Sequence, residues 1–193
     1  MKRLHIRMLV RPLALLILVA GCAGPPATKI YLLGDPPNPA PSASKLSGRP
    51  ITQLLPVSVP DYLDTRDILV RSGQNEVKAS PTGRWAERLS VGLTRALAAA
   101  LSARLSGADI VVDQPIVPPA QQILVDVEAF EIKSDGQCLL TARWTIAKAG
   151  LHVLHSGRGT FVEQAANDSD AAFASAMTRS IDRLADQVAA STR

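Results

Sequence analysis

A short apolar run, Leu13 to Ala20, ends at Gly21-Cys22, and that boundary sets how much chain is left to fold and where. Ahead of it, Lys2, Arg3, Arg7 and Arg11 form a basic segment without an acidic residue. Basic flank, short apolar stretch and small residues at its end are the three parts of a secretory signal. A membrane-spanning helix needs about 20 apolar residues. Arg11-Pro12 interrupts this run on one side and Gly21 closes it on the other, so a signal is the better reading.

The residues at the boundary sharpen it. Leu18-Val19-Ala20-Gly21-Cys22 resembles the bacterial lipobox, in which small side chains precede a cysteine that is acylated on sulfur and becomes the new N-terminus. The cysteine supplies the nucleophile, and small side chains fit the processing peptidase. Each buried methylene of an acyl chain contributes about 0.8 kcal/mol, so two or more chains hold firmly where one is marginal. Cys22 is therefore the expected lipidation site. Residue 23 is Ala and not the aspartate associated with inner-membrane retention, which predicts an outer-membrane anchor facing the periplasm.

Removing the leader changes the charge argument. The chain carries 21 Lys+Arg and 17 Asp+Glu, a formal +4, but four of the basic residues precede Cys22. From Cys22 onward 17 face 17, so the basic excess belongs to the signal and nothing points to a nucleic-acid partner. With Cys22 acylated, Cys138 is the one remaining thiol and no intrachain disulfide can form. Stability then has to come from a core, and about 145 residues remain for one domain. Cys138 lies in the apolar run Cys138-Leu139-Leu140 and reads as a buried, inert thiol.

Three regions follow: the signal peptide over 1–21, a lipidated N-terminal region over 22–50, and a domain over 51–193. In the middle region Ile30 to Leu33 can pair as a short edge strand, and the Pro-, Ser- and Ala-rich stretch from Gly34 to Pro50 reads as a tether or loop. Strands are predicted over 51–59, 67–71 and 76–79, with a turn at Pro60–Asp64. Ser80-Pro81 resembles an N-cap followed by proline, starting a helix over 82–105 whose stripe is Trp85, Leu89, Leu93, Leu97, Leu101 and Leu105. Gly107 is its expected stop.

Asp109 to Val112 is a short strand. Segments 122–132, 137–147 and 151–163 form a meander, and Asp168 is the expected cap of a last helix with stripe Phe173, Met177, Ile181, Leu184 and Val188. The fold class is α+β: a single domain with a mostly antiparallel sheet and two long amphipathic helices packed on one face.

Chemistry-bearing patterns are sparse. His152 and His155 are three apart on a strand and make poor joint metal ligands. Ser156-Gly157-Arg158-Gly159 lacks the Lys-Ser/Thr and the following helix of a phosphate loop. No Gly-x-Ser-x-Gly elbow occurs. The reading is a non-enzyme without metal or cofactor. Two clusters stand apart from the core pattern: Pro60-Asp61-Tyr62-Leu63-Asp64-Thr65-Arg66 and Arg84-Trp85-Ala86-Glu87-Arg88-Leu89. Tyr, Trp and Arg often anchor interfaces, which makes Tyr62, Leu63, Asp64, Arg66, Arg84 and Trp85 candidate partner contacts. The competing reading is that Tyr62 and Trp85 seal the core at the helix start.

The lipobox, the proline-rich stretch, Val57-Ser58-Val59-Pro60-Asp61-Tyr62-Leu63-Asp64-Thr65-Arg66, Arg84 to Leu89 and the closing alanine-rich helix together resemble the PqiC family. These are auxiliary lipoproteins of ABC-linked, MCE-type lipid transport systems. Family members often have Asp-Arg after the Tyr-Leu and Glu-Pro after the Trp-Ala; Asp64-Thr65-Arg66 and Glu87-Arg88 depart from that. The resemblance implies a non-catalytic component held at the outer membrane by its lipid. It would meet an MCE-domain protein, support lipid transport between membranes and envelope integrity, and assemble as a homo-oligomeric ring. The rival reading is an assembly factor for lipopolysaccharide or another outer-membrane machine.

Overall fold

The computed structural model describes residues 27–34, 48–148 and 152–192. Cys22, the bulk of the proline-rich stretch and the Ala149-Gly150 turn lie outside them. Eight strands and two helices follow in the order β1 (Lys29–Tyr31), β2 (Ile51–Leu54), β3 (Asp67–Gly73), β4 (Glu76–Trp85), α1 (Leu89–Arg104), β5 (Asp109–Val111), β6 (Gln121–Lys133), β7 (Gln137–Lys148), β8 (His152–Gln164) and α2 (Asp170–Ser191).

All eight strands join one sheet built around β6. On one side β6, β7 and β8 run as the predicted antiparallel meander. On the other side β6 is shared: its start pairs with β2 and its end with β3, both parallel. β5 lies parallel to β2, the β3–β4 hairpin is antiparallel, and β1 adds to β4 in parallel. The sheet is therefore mixed, with its long pairings antiparallel. The helices pair with each other, and α2 also lies across β7 and β8.

Periodicity explains most of the core. Cys138, Leu140, Ala142, Trp144 and Ile146 of β7 are all buried, as is the α2 stripe. Along β6, Ile123, Val125 and Val127 are buried and the pattern then slips, so that Phe130 and Ile132 continue the buried face. A bulge between Val127 and Ala129 makes this shift. Gly157 and Gly159 of β8 leave room for neighbouring rings: a Cβ on Gly157 would stand 2.4 Å from the Trp144 indole. That indole reaches over β8, and its N–H donates to Ser191 Oγ at the end of α2, 3.3 Å away.

The predicted helix start is wrong. Residues 80–85 are strand, and α1 begins at Leu89. Residues 83–85 pair with β1 while Asp67 faces Arg84. Ser80-Pro81 falls in the register shift between those contacts and the regular hairpin. Proline is tolerated at a bulge because no ladder hydrogen bond is asked of it. α1 also ends earlier than Gly107: Leu105 N–H closes the last turn on Leu101 O at 2.8 Å. The cap of α2 is Ser169, one residue past Asp168, with its hydroxyl accepting from Ala172 N–H at 3.2 Å.

β1 is part of the folded unit. Tyr31 O accepts from Ala86 N–H at 2.8 Å, Leu33 is buried in the core, and Gly34 N–H donates to Thr178 Oγ1 of α2 at 3.1 Å. Gly34 takes φ +76° against Ala96 of α1, where a Cβ would stand 2.9 Å from the Ala96 Cβ. The proline-rich stretch thus joins two segments that are both built into the domain.

Candidate functional site

The two clusters come together in space. The 60–66 turn sits at the start of α1, and its groups supply the cap that Arg88 lacks. Asp64 Oδ1 accepts from Ser90 N–H at 3.1 Å, and Thr65 O accepts from Leu89 N–H at 3.2 Å. Arg88 pairs with the other Asp64 oxygen. Burial raises the Asp64 carboxyl, but its hydrogen bonds from Ser90 and Arg88 prevail and hold it below the usual value. Arg66 O accepts from Trp85 N–H at 2.6 Å, so the turn also fixes the end of β4.

Burial then divides the six candidates. Leu63 and Trp85 are 3% and 4% exposed and belong to the core. They are not available to a partner in this fold. Asp64 is engaged at the helix start. Tyr62, Arg66 and Arg84 are exposed. Tyr62 is 47% exposed and its hydroxyl donates to Glu131 Oε1 at 3.1 Å. Arg71 Nε donates to Glu131 Oε2 at 2.8 Å, and the Arg71 guanidinium holds the Glu131 carboxyl below its usual range. Arg84 pairs with Asp67 at 3.3 Å.

These pairs continue a pattern across the sheet face opposite the helices. Arg143 reaches Glu128 at 3.0 Å and pairs with Asp126, and Arg158 reaches Glu128 at 2.6 Å. Beside them an open groove of about 360 Å³ runs between Leu55, Pro56 and Ser58 and residues of β6 and β7. The result is a broad face of paired charges flanked by apolar side chains, with no concentration of one charge sign.

Among the described residues no three His, Cys, Asp or Glu side chains group as a metal site. Burial pushes the Cys138 thiol up to about 11, which suppresses the reactive thiolate. The remote cap made by Asp64 was missed in the sequence because the signal is split between two segments 26 residues apart.

No helix among the described residues is long and apolar enough to cross a membrane. The family model for ABC-type transport auxiliary lipoprotein components matches residues 31–189, and the chain belongs to that family. Among the solved structures that share the fold, two align over most of the chain. One, described as an uncharacterized protein, aligns with a TM-score of 0.72 at 18% identity, over 86% of this chain and 100% of its own. The other is a Xanthomonas campestris protein of the DUF330 family model, with a TM-score of 0.63 at 17% identity, over 86% of this chain and 94% of its own. No curated protein sequence matches.

Proposed function

We propose that this auxiliary lipoprotein is a non-catalytic component held at the outer membrane by acylated Cys22, where it docks an MCE-domain protein of an ABC-type lipid transporter. Membership of the transport-auxiliary family over 31–189 carries the reading. The Leu18 to Cys22 boundary supports the anchor, and Ala23 supports the outer-membrane destination. The docking surface is the exposed part of the joined clusters: Tyr62, Arg66 and Arg84. Leu63, Asp64 and Trp85 act behind it, holding the turn against α1 and β4. The partner completes a path for lipid between the membranes, and a ring of copies would present this face repeatedly around that path.

The anchor is tested by Cys22→Ser. The variant is expected to leave the outer-membrane fraction after a high-salt wash, whereas the parent stays. Retention of the variant in the washed membrane overturns the anchor. Docking is tested by affinity purification of the intact lipidated protein from its native envelope, which is expected to recover an MCE-domain protein.

A further inference from the structure

With Cys22 as the anchor proposed above, chain length limits how far the domain can stand from the membrane. Cys22 is seven residues before Lys29, the first strand residue. At about 3.3–3.6 Å per residue that leash spans no more than about 25 Å. β1 runs parallel to β4 with Lys29 opposite Gly83, so the chain enters β1 from the side of the β3–β4 hairpin tip. Glu76 at that tip is seven residues before Gly83. The strand therefore projects about 20 Å back along the leash, allowing for the bulge at 80–83. A leash that ran on in the line of β1 would bring the lipid surface within a few ångströms of the tip, and a shorter reach along that line would bring the headgroups to it.

The hairpin's composition suits that location. Ser72 to Ala79 are eight consecutive exposed residues, standing clear of the body. Ser72, Gln74 and Asn75 offer hydrogen-bonding groups. Its two charges pair with each other, Lys78 with Glu76 at 3.0 Å, while the exposed Asp135 of the β6–β7 turn lies at the same end of the sheet. Val77 is the exposed apolar side chain. Such a tip binds weakly by itself, but an adjacent lipid anchor raises its effective concentration at the surface. The opposite pole is distant. β6 runs from Lys133, paired with Arg71, back to Gln121, so the 115–120 loop with exposed Ile116 and Val117 lies about 40 Å away.

We propose that the β3–β4 hairpin tip is a lipid-contacting element that rests in the phospholipid headgroup layer and holds the domain upright. The Tyr62–Arg66–Arg84 face then looks sideways, and the Ile116-Val117 pole looks into the periplasm. This rests on the Cys22 anchor proposed above. The test uses the full-length lipidated protein in phosphatidylethanolamine/phosphatidylglycerol vesicles containing a headgroup-labelled quencher lipid. A fluorophore is attached to one introduced thiol at a time: Asn75→Cys or Gln74→Cys at the tip, Ser156→Cys on the outer sheet face, and Val117→Cys at the far pole. Buried Cys138 and acylated Cys22 leave the introduced thiol as the reactive one. The expected result is loss of most of the signal at 74 or 75 and little loss at 156 and 117. Quenching at 156 or 117 equal to that at the tip, or none at any position in vesicle-bound protein, overturns the upright tip contact alone. Protein that fails to join the vesicles overturns the anchor as well.

Discussion

Asp64 shows how much one side chain can hold in place here. It caps Ser90 N–H, pairs with Arg88 and ties the 60–66 turn to α1. Loss of an N-cap costs about 1 kcal/mol. Asp64→Ala should therefore lower the thermal midpoint by several degrees for a domain of this size, as measured by calorimetry. Its pH dependence has a definite sign. Asp64 and Glu131 both have depressed carboxyl values in the folded state. Their contribution is present above the unfolded carboxylate value near 4 and is lost as pH falls through the folded values. Denaturant midpoints measured down the acid range should fall faster for the parent than for Asp64→Ala. Gly157 is the second residue of this kind: a Cβ 2.4 Å from the Trp144 ring cannot be accommodated without movement. Overpacking typically costs about 1–3 kcal/mol, so Gly157→Ala should lower the denaturant midpoint. An unchanged midpoint would show that the indole moves freely, contrary to its place between β8 and Ser191.

At the scale of elements, Trp85 and Tyr62 belong to the two joined clusters and differ in burial. Trp85→Ala removes a buried ring, a change that costs about 3–5 kcal/mol. Tyr62→Ala removes an exposed ring and one hydrogen bond to Glu131, and should cost under about 1.5 kcal/mol. Parallel denaturation curves will separate the two, and equal losses would contradict the division between core and surface. The same pair shows what was legible in the sequence. The meander of β6 to β8 and the apolar stripe of α2 depend on local spacing, and both were legible. Trp85 also fits the α1 spacing, but it ends β4, because pairing with Tyr31 and Arg66 competes successfully with the helical pattern. Pro81 looked like a helix start and instead occupies a bulge. β2 and β3 sharing one side of β6 had no local signal, since parallel pairing joins residues far apart in the chain. Of the candidate site, the residue types were visible but their burial was not: Leu63 and Trp85 point inward and Tyr62 does not.

For the whole molecule, the position of β1 matters most. Because Lys29–Tyr31 is built into the sheet, an anchor at Cys22 as proposed would lie seven residues before the first strand, and the proline-rich stretch would not lengthen that connection. On that proposal the domain would stay close to its membrane and the MCE-domain protein would span the remaining distance. Arg66 and Arg84 are exposed and belong to the proposed docking surface, and replacing surface charges away from the core usually changes stability by less than about 0.5 kcal/mol. The most direct test is affinity purification of the lipidated protein from its native envelope, comparing the parent with Arg66→Glu/Arg84→Glu. The parent should recover an MCE-domain protein and the double variant should lose most of it, with unchanged circular dichroism. Equal recovery by both, or recovery of an outer-membrane β-barrel in place of the MCE-domain protein, would contradict the account.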